Sequence, residues 1–134
     1  AAPHRNGVDL VAAPEAIGWI LGTALAGRLG AGFLGIRKGG RLPYPQDLLM
    51  AESFTDYTGQ EKTFEIPAGL RLDGKRVLVA DEWIETGAQL QAMCDLLERT
   101  GAEIVGAVCV GLDDTPVTAR WIRSGWLTCI GTGF

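Results

Sequence analysis

The chain has 134 residues, of which 47% are apolar and 21% charged, and a formal net charge of −4. That length predicts one domain spanning 1–134 with a core of its own, and the acidic balance excludes the basic footprint of a nucleic-acid-binding surface. The longest apolar stretch, Ile17 to Leu34, is broken by Gly18, Gly22, Gly27, Arg28, Gly30 and Gly32; it predicts no membrane span, no stretch reads as a signal peptide, and a cytoplasmic protein is the expectation.

In chain order, Val8 to Ala12 reads as a short apolar strand and Ala13-Pro14-Glu15-Ala16 as a turn. Ile17, Ile20, Leu21 and Ala24 recur at i, i+3, i+4 and i+7, which predicts a helix to about Leu29, stopped by Gly30 and Gly32. Phe33 to Ile36 is a second strand. Arg37 to about Glu61 carries Gly39, Gly40, Pro43, Pro45 and Gly59. A loop of that length inside a compact domain is usually functional. Part of it is expected to fold as a two-stranded excursion with Lys62 to Ile66 as the returning arm, since Phe64 and Ile66 alternate with Thr63 and Glu65.

Leu72 to Lys75 turns into Val77 to Ala80, a run suited to a strand covered on both faces. Asp81 and Glu82 fall at its carboxyl end, the edge at which open α/β sheets bind ligands. Glu85 to Gln89 then forms a Gly-containing turn that opens a helix, with Leu90, Met93, Cys94 and Leu97 at helical spacing and Gly101 as its end. Ile104 to Val110 is a buried strand, Pro116 to Arg123 a helix with Thr115 as N-cap, and Trp126 to Ile130 the last strand. The alternation implies an α/β fold with a parallel sheet and right-handed crossovers.

Of the remaining residues, Cys94, Cys109 and Cys129 have no C-x-x-C spacing and read as small buried hydrophobes. Trp83, Trp121 and Trp126 read as core or interface before they read as base-stacking platforms. His4 carries no metal signature.

Three constellations carry chemistry. Asp81 and Glu82 offer carboxylates that accept hydrogen bonds from hydroxyls and attract Mg²⁺, beside a helix start whose backbone N–H groups suit an anion. Arg37 and Lys38 stand just beyond a strand end, followed by glycines and Arg41, a pattern that fits either a diphosphate clamp or a solvated basic turn. Glu15 opens the first helix, where the helix dipole favours an acid.

The string Val77-Leu78-Val79-Ala80-Asp81-Glu82-Trp83-Ile84-Glu85-Thr86-Gly87 resembles the phosphoribosyl-diphosphate signature of type I phosphoribosyltransferases. Arg37-Lys38-Gly39-Gly40-Arg41-Leu42-Pro43 is similar to the Arg-Lys-x-Gly-Lys-Leu-Pro segment of the adenine members, and Ser53 to Gly59 to their catalytic loop. The resemblance runs from about Gly7 to Val110. It implies a mainly parallel sheet flanked by helices with a mobile loop after the second strand. It implies transfer of the phosphoribosyl group of 5-phosphoribosyl 1-diphosphate to a purine base, adenine first, with release of pyrophosphate, in a homodimer that engages neither nucleic acid nor membrane.

The same resemblance assigns roles. Pro14, Glu15, Ala16, Arg37, Lys38 and Arg41 would meet the diphosphate. Asp81 and Glu82 would hold the ribose hydroxyls and Mg²⁺, directly or indirectly, and Glu85, Thr86, Gly87, Ala88 and Gln89 the 5′-phosphate. Asp81, Glu85 and Asp56 would serve catalysis. The chain departs from the family in several places: Ile17 stands where an Arg is usual, Thr58 is inserted before Gly59, and Gln89 replaces Thr or Ser. Glu85 replaces the adenine enzymes' Ala; it fits a general acid/base or a like-charge deterrent to a phosphate. Only Ala1 to Gly7 precede the first strand, so no base-gripping hood is expected. These departures keep open a second expectation, a nucleotide or diphosphate sensor on the same fold.

Overall fold

A computed structural model describes residues 7–40 and 43–131; His4 and Arg41 lie outside them. The strands are β1 (Leu10–Pro14), β2 (Gly32–Lys38), β3 (Leu49–Thr55), β4 (Glu61–Pro67), β5 (Arg76–Ile84), β6 (Glu103–Leu112) and β7 (Leu127–Cys129). The helices are α1 (Ile17–Leu29), α2 (Ala88–Glu98) and α3 (Pro116–Arg123), with a short 3₁₀ turn at Gln46–Leu48. They form one seven-stranded sheet in the order β3-β4-β2-β1-β5-β6-β7. The β2-β1-β5-β6-β7 part is parallel, and β3 and β4 are an antiparallel addition joined to β2 through Arg37↔Glu65 and Lys38↔Phe64. The expected mainly parallel sheet is therefore present.

The chain leaves β1 for β2 on one side and later returns to β5 on the other. The carboxyl ends of β1 and β5 thus mark a topological switch point, where neighbouring connections diverge and leave a crevice. One apolar cluster, built on Val77, Val79, Leu90, Met93 and Leu97, fills the α2 side of the sheet. A second, with Val11, Ala13, Ala26 and Ala80, fills the α1 side.

The predicted first helix is present, but its buried face is not the one its large apolar residues suggest. Gly18, Gly22 and Ala26 face the sheet, while Ile17 is 55% and Ile20 73% exposed. The small residues let the helix axis approach closely: a Cβ on Gly22 would lie 2.6 Å from Phe33 and 2.9 Å from Ala13. Spacing identifies a helix, and which stripe is buried depends on how near the helix can come to its sheet.

The long segment after β2 is more ordered than its composition suggests. Leu49–Thr55 pairs with Glu61–Pro67 in register from Leu49↔Pro67 to Thr55↔Glu61, so the expected excursion is a full hairpin. Glu65 was expected on the polar face of an alternating strand. It is instead buried with Phe64 and Ile66, because β4 lies inside the sheet between β3 and β2.

β5 also runs further than Val77 to Ala80 predicts, so that Asp81 and Glu82 lie within the strand rather than beyond it. α3 has its expected cap: Thr115 accepts from the Thr118 N–H and the Thr118 hydroxyl accepts from the Thr115 N–H. Cys94 and Cys109 are buried and no disulfide forms. Trp121 and Trp126 pack together with ring centroids 5.4 Å apart.

Gly22→Val should destabilise the fold by about 1–3 kcal/mol through overpacking. Gly27 on the same helix has nothing near its would-be Cβ, so Gly27→Ala should stabilise by up to about 1 kcal/mol. Urea unfolding of the two variants checks both signs.

Candidate functional site

A cleft of about 750 Å³ opens where the β3–β4 hairpin faces the carboxyl end of β5. Lys38 and Gly39 line it from the end of β2, Phe54, Asp56, Tyr57 and Lys62 from the hairpin, and Asp81, Ile84, Glu85, Thr86 and Gly87 from β5 and the loop beyond. Gln89 and Leu90 of α2 close the remaining wall. Apolar rings and charged groups thus converge on one concavity, the arrangement expected of a small-molecule site.

Asp81 is only 3% exposed. Its Oδ2 accepts the Gln89 side-chain N–H at 2.7 Å and its Oδ1 the Glu82 backbone N–H at 2.8 Å. Burial pushes its pKa up from 3.8 to about 6, with the nearby Glu82 and Glu85 charges adding and the two hydrogen bonds opposing. Gln89, expected on a phosphate, thus has its amide on Asp81. Glu82 points the other way, as successive residues on a strand must; it is exposed and outside the cleft wall.

The loop between β5 and α2 is short. Gly87 is the N-cap with φ 94°, a left-handed conformation that favours glycine. A Cβ there would also strike the Trp121 ring at 2.9 Å. The Thr86 hydroxyl takes the Ala88 N–H at 3.2 Å, so that amide is engaged within the loop. The Gln89 and Leu90 N–H groups in the first turn of α2 lack intrahelical partners, and both residues line the cleft with Thr86 and Gly87.

The pair of strand-end cations separates in space. Lys38 lines the cleft. The Arg37 Nε lies 3.6 Å from Glu15 Oε1 and its guanidinium stacks 5.3 Å above Trp19. Glu15 also accepts the Lys38 backbone N–H at 2.8 Å. The Pro14-Glu15-Ala16 turn therefore meets the basic segment directly, and Glu15 serves β2 rather than the dipole of α1. Pro14, Glu15, Ala16 and Arg37 lie outside the cleft wall.

Asp56 sits at the hairpin tip. Its Oδ1 accepts from the Thr58 N–H, the Thr58 hydroxyl and the Gln60 N–H, and its Oδ2 is 3.9 Å from Lys62. The hydrogen bond from the Thr58 side chain leads the groups that hold its pKa below the ordinary value. Asp56 is thus ionised at neutral pH and acts first as the clasp of the turn; the inserted Thr58 is what it clasps.

A magnesium ion is compatible with these donors in one form only. Among the described residues no group of three or more His, Cys, Asp and Glu side chains could hold a metal. Mg²⁺, however, commonly takes one or two carboxylates and keeps waters or ligand phosphates for the rest. Asp81 could supply one such carboxylate; Glu82, expected to share the ion, is exposed outside the cleft wall and does not join it there.

Sequence reasoning passed over Glu65, Phe54, Phe64, Lys62 and Leu90, which all line the cleft. Only the alternation in β4 hinted at Phe64. The register of the hairpin against β2 brings in Phe54, Lys62 and Glu65, the first turn of α2 brings in Leu90, and no local pattern encodes either approach.

The Phosphoribosyl transferase domain model matches residues 4–130. The chain belongs to that family. The adenine phosphoribosyltransferase of Mycolicibacterium gilvum is 44% identical over 108 residues, covering 80% of this chain and 58% of that protein. That of Mycobacterium avium is 43% identical, covering 81% and 59%. The chain thus spans a little under three fifths of the length of these relatives. Among solved structures, the adenine phosphoribosyltransferase of Thermoanaerobacter pseudethanolicus superposes with a TM-score of 0.73 at 32% identity over 90% of this chain and 67% of its own. The Saccharomyces cerevisiae enzyme, complexed with an imino-altritol bisphosphate and adenine, gives 0.71 at 29% over 80% and 58%. In this chain the segment after the second strand carries the β3–β4 hairpin that faces the carboxyl end of β5 across the cleft.

The titration of Asp81 should be visible in stability. Its folded form holds a proton more tightly than the unfolded chain, so its contribution is fully present below about pH 4 and is lost as pH rises through about 6. A shift of about two pH units amounts to about 3 kcal/mol. Urea unfolding of wild type should therefore lose about 3 kcal/mol relative to Asp81→Asn between pH 4 and 7. Parallel pH profiles would mean that Asp81 titrates as a solvated acid.

Proposed function

We propose that this chain transfers the phosphoribosyl group of 5-phosphoribosyl 1-diphosphate to a purine base, adenine first, and releases pyrophosphate. The observation that carries this reading is the meeting of Asp81, Lys38 and the Thr86–Gly87 helix start around one cleft at the carboxyl end of β5 in a phosphoribosyl transferase sheet. The relatives named adenine phosphoribosyltransferase support adenine as the acceptor.

In this reading the α2 N-terminus and Thr86 hold the 5′-phosphate, where N–H groups and the helix dipole favour an anion. Asp81, oriented by Gln89, accepts from the ribose hydroxyls. Lys38 neutralises the departing pyrophosphate, and Arg37 supports that end of β2 through Glu15. A magnesium ion held by Asp81, directly or through water, would add charge neutralisation of the diphosphate. The bond from the sugar C1 to the diphosphate oxygen breaks with its electron pair going to pyrophosphate, and a base nitrogen donates the pair that forms the new C–N bond. Tyr57 and the hairpin tip stand over the cleft, placed to exclude water, the competing nucleophile. Glu85, also on the cleft wall, takes or gives the base proton. We also propose a single domain that acts as a homodimer, which sedimentation of the intact protein tests.

The decisive experiment is pyrophosphate release from 5-phosphoribosyl 1-diphosphate with Mg²⁺, across adenine, hypoxanthine, guanine, xanthine, uracil and orotate. Release with adenine, lost in Asp81→Asn, is the expected result; binding of the diphosphate with release from none of the bases points to a sensor instead. If Glu85 is the acid/base, Glu85→Gln should lower kcat by roughly 100-fold or more with KM little changed. If it repels the phosphate, the same variant should lower KM.

A further inference from the structure

Glu65 does something that none of the assigned roles uses. It stands on β4 directly opposite Arg37 of β2 and is only 4% exposed, between the buried Phe64 and Ile66. Its Oε1 accepts the Gly40 backbone N–H at 2.6 Å. One residue earlier, the Gly39 N–H donates to the Thr63 carbonyl at 2.8 Å. The turn that follows Lys38 is therefore fastened to β4 at two successive residues, and the carboxylate makes the second fastening. The fit is close: a Cβ on Gly39 would lie 3.2 Å from Glu65 Oε1.

The other oxygen, Oε2, is buried and meets no hydrogen-bond partner among the described residues. A buried carboxylate satisfied on one oxygen is a poor way to stabilise a core, and an apolar side chain of similar volume would serve stability as well or better. Stability therefore does not account for an acid at this position, whereas the shape of the turn does. Lys38, which precedes that turn, is the cation on the cleft wall, and Glu65 lines the same cleft.

We propose that Glu65 is a positioning residue: it pins the Gly39–Gly40 turn to β4 and so fixes where Lys38 presents its charge to an incoming diphosphate. The identity of that anion rests on the function proposed above; the anchoring itself does not.

The test uses the intact chain with Glu65→Leu, which removes the acceptor at similar volume, and Glu65→Gln, whose amide oxygen still accepts. Amide exchange of Gly40 followed by NMR should be roughly 10- to 100-fold faster in Glu65→Leu and close to wild type in Glu65→Gln. The melting temperature of Glu65→Leu should be no lower than that of wild type. KM for 5-phosphoribosyl 1-diphosphate should rise roughly tenfold in Glu65→Leu with a much smaller change in kcat, and Glu65→Gln should recover most of it. Unchanged Gly40 exchange in Glu65→Leu would overturn the proposal, as would a lowered melting temperature that accounts for the loss. Should wild type release no pyrophosphate, the functional reading fails, and exchange and melting still decide the anchor.

Discussion

Gln89 donates to Asp81 across 2.7 Å, and that bond joins the end of the central strand to the first turn of α2. Asp81 is held inside the protein with its charged form disfavoured by burial, and it tolerates the position because both oxygens are met. The loop between them is kept tight by Gly87, which has neither the dihedral nor the space for a side chain. The acid and the helix start are thereby fixed relative to each other. A site on strand and helix termini of a packed sheet is more rigid than one on loops alone.

Three further acids of the region act on backbone. Glu15 takes the Lys38 N–H, Asp56 gathers the Thr58 and Gln60 N–H groups, and Glu65 takes the Gly40 N–H. A carboxylate that accepts from N–H groups forms charge-assisted bonds stronger than neutral ones, and three segments around the cleft are shaped by such clasps. Part of the negative charge around the cleft is thus taken up by amides, while Lys38 lines the cleft.

Several expectations changed once contacts were visible. The acids of Asp81-Glu82 look equivalent in sequence, yet one is buried in the cleft and the other exposed beside it, because strand neighbours alternate. Arg37 and Lys38 look like one basic patch, yet Arg37 lies against Glu15 and Trp19. Leu49–Thr55 looked like loop, since an edge strand with few large apolar residues is defined by the partner it pairs with. Glu65 looked like a solvent-facing position of a half-buried strand and proved to lie in the interior.

The sequence by itself determined the order of the helices and of every strand but β3, the mainly parallel character of the sheet, the cap of α3 and the carriers of the main motif, because periodicity, turn glycines and a strand-acid-loop-helix string are local. Only the tertiary structure decided which face of α1 is buried, which member of each charged pair enters the cleft, and how the hairpin completes it. Those outcomes depend on how closely segments far apart in the chain approach and on the register in which they pair, and no short window of residues encodes either.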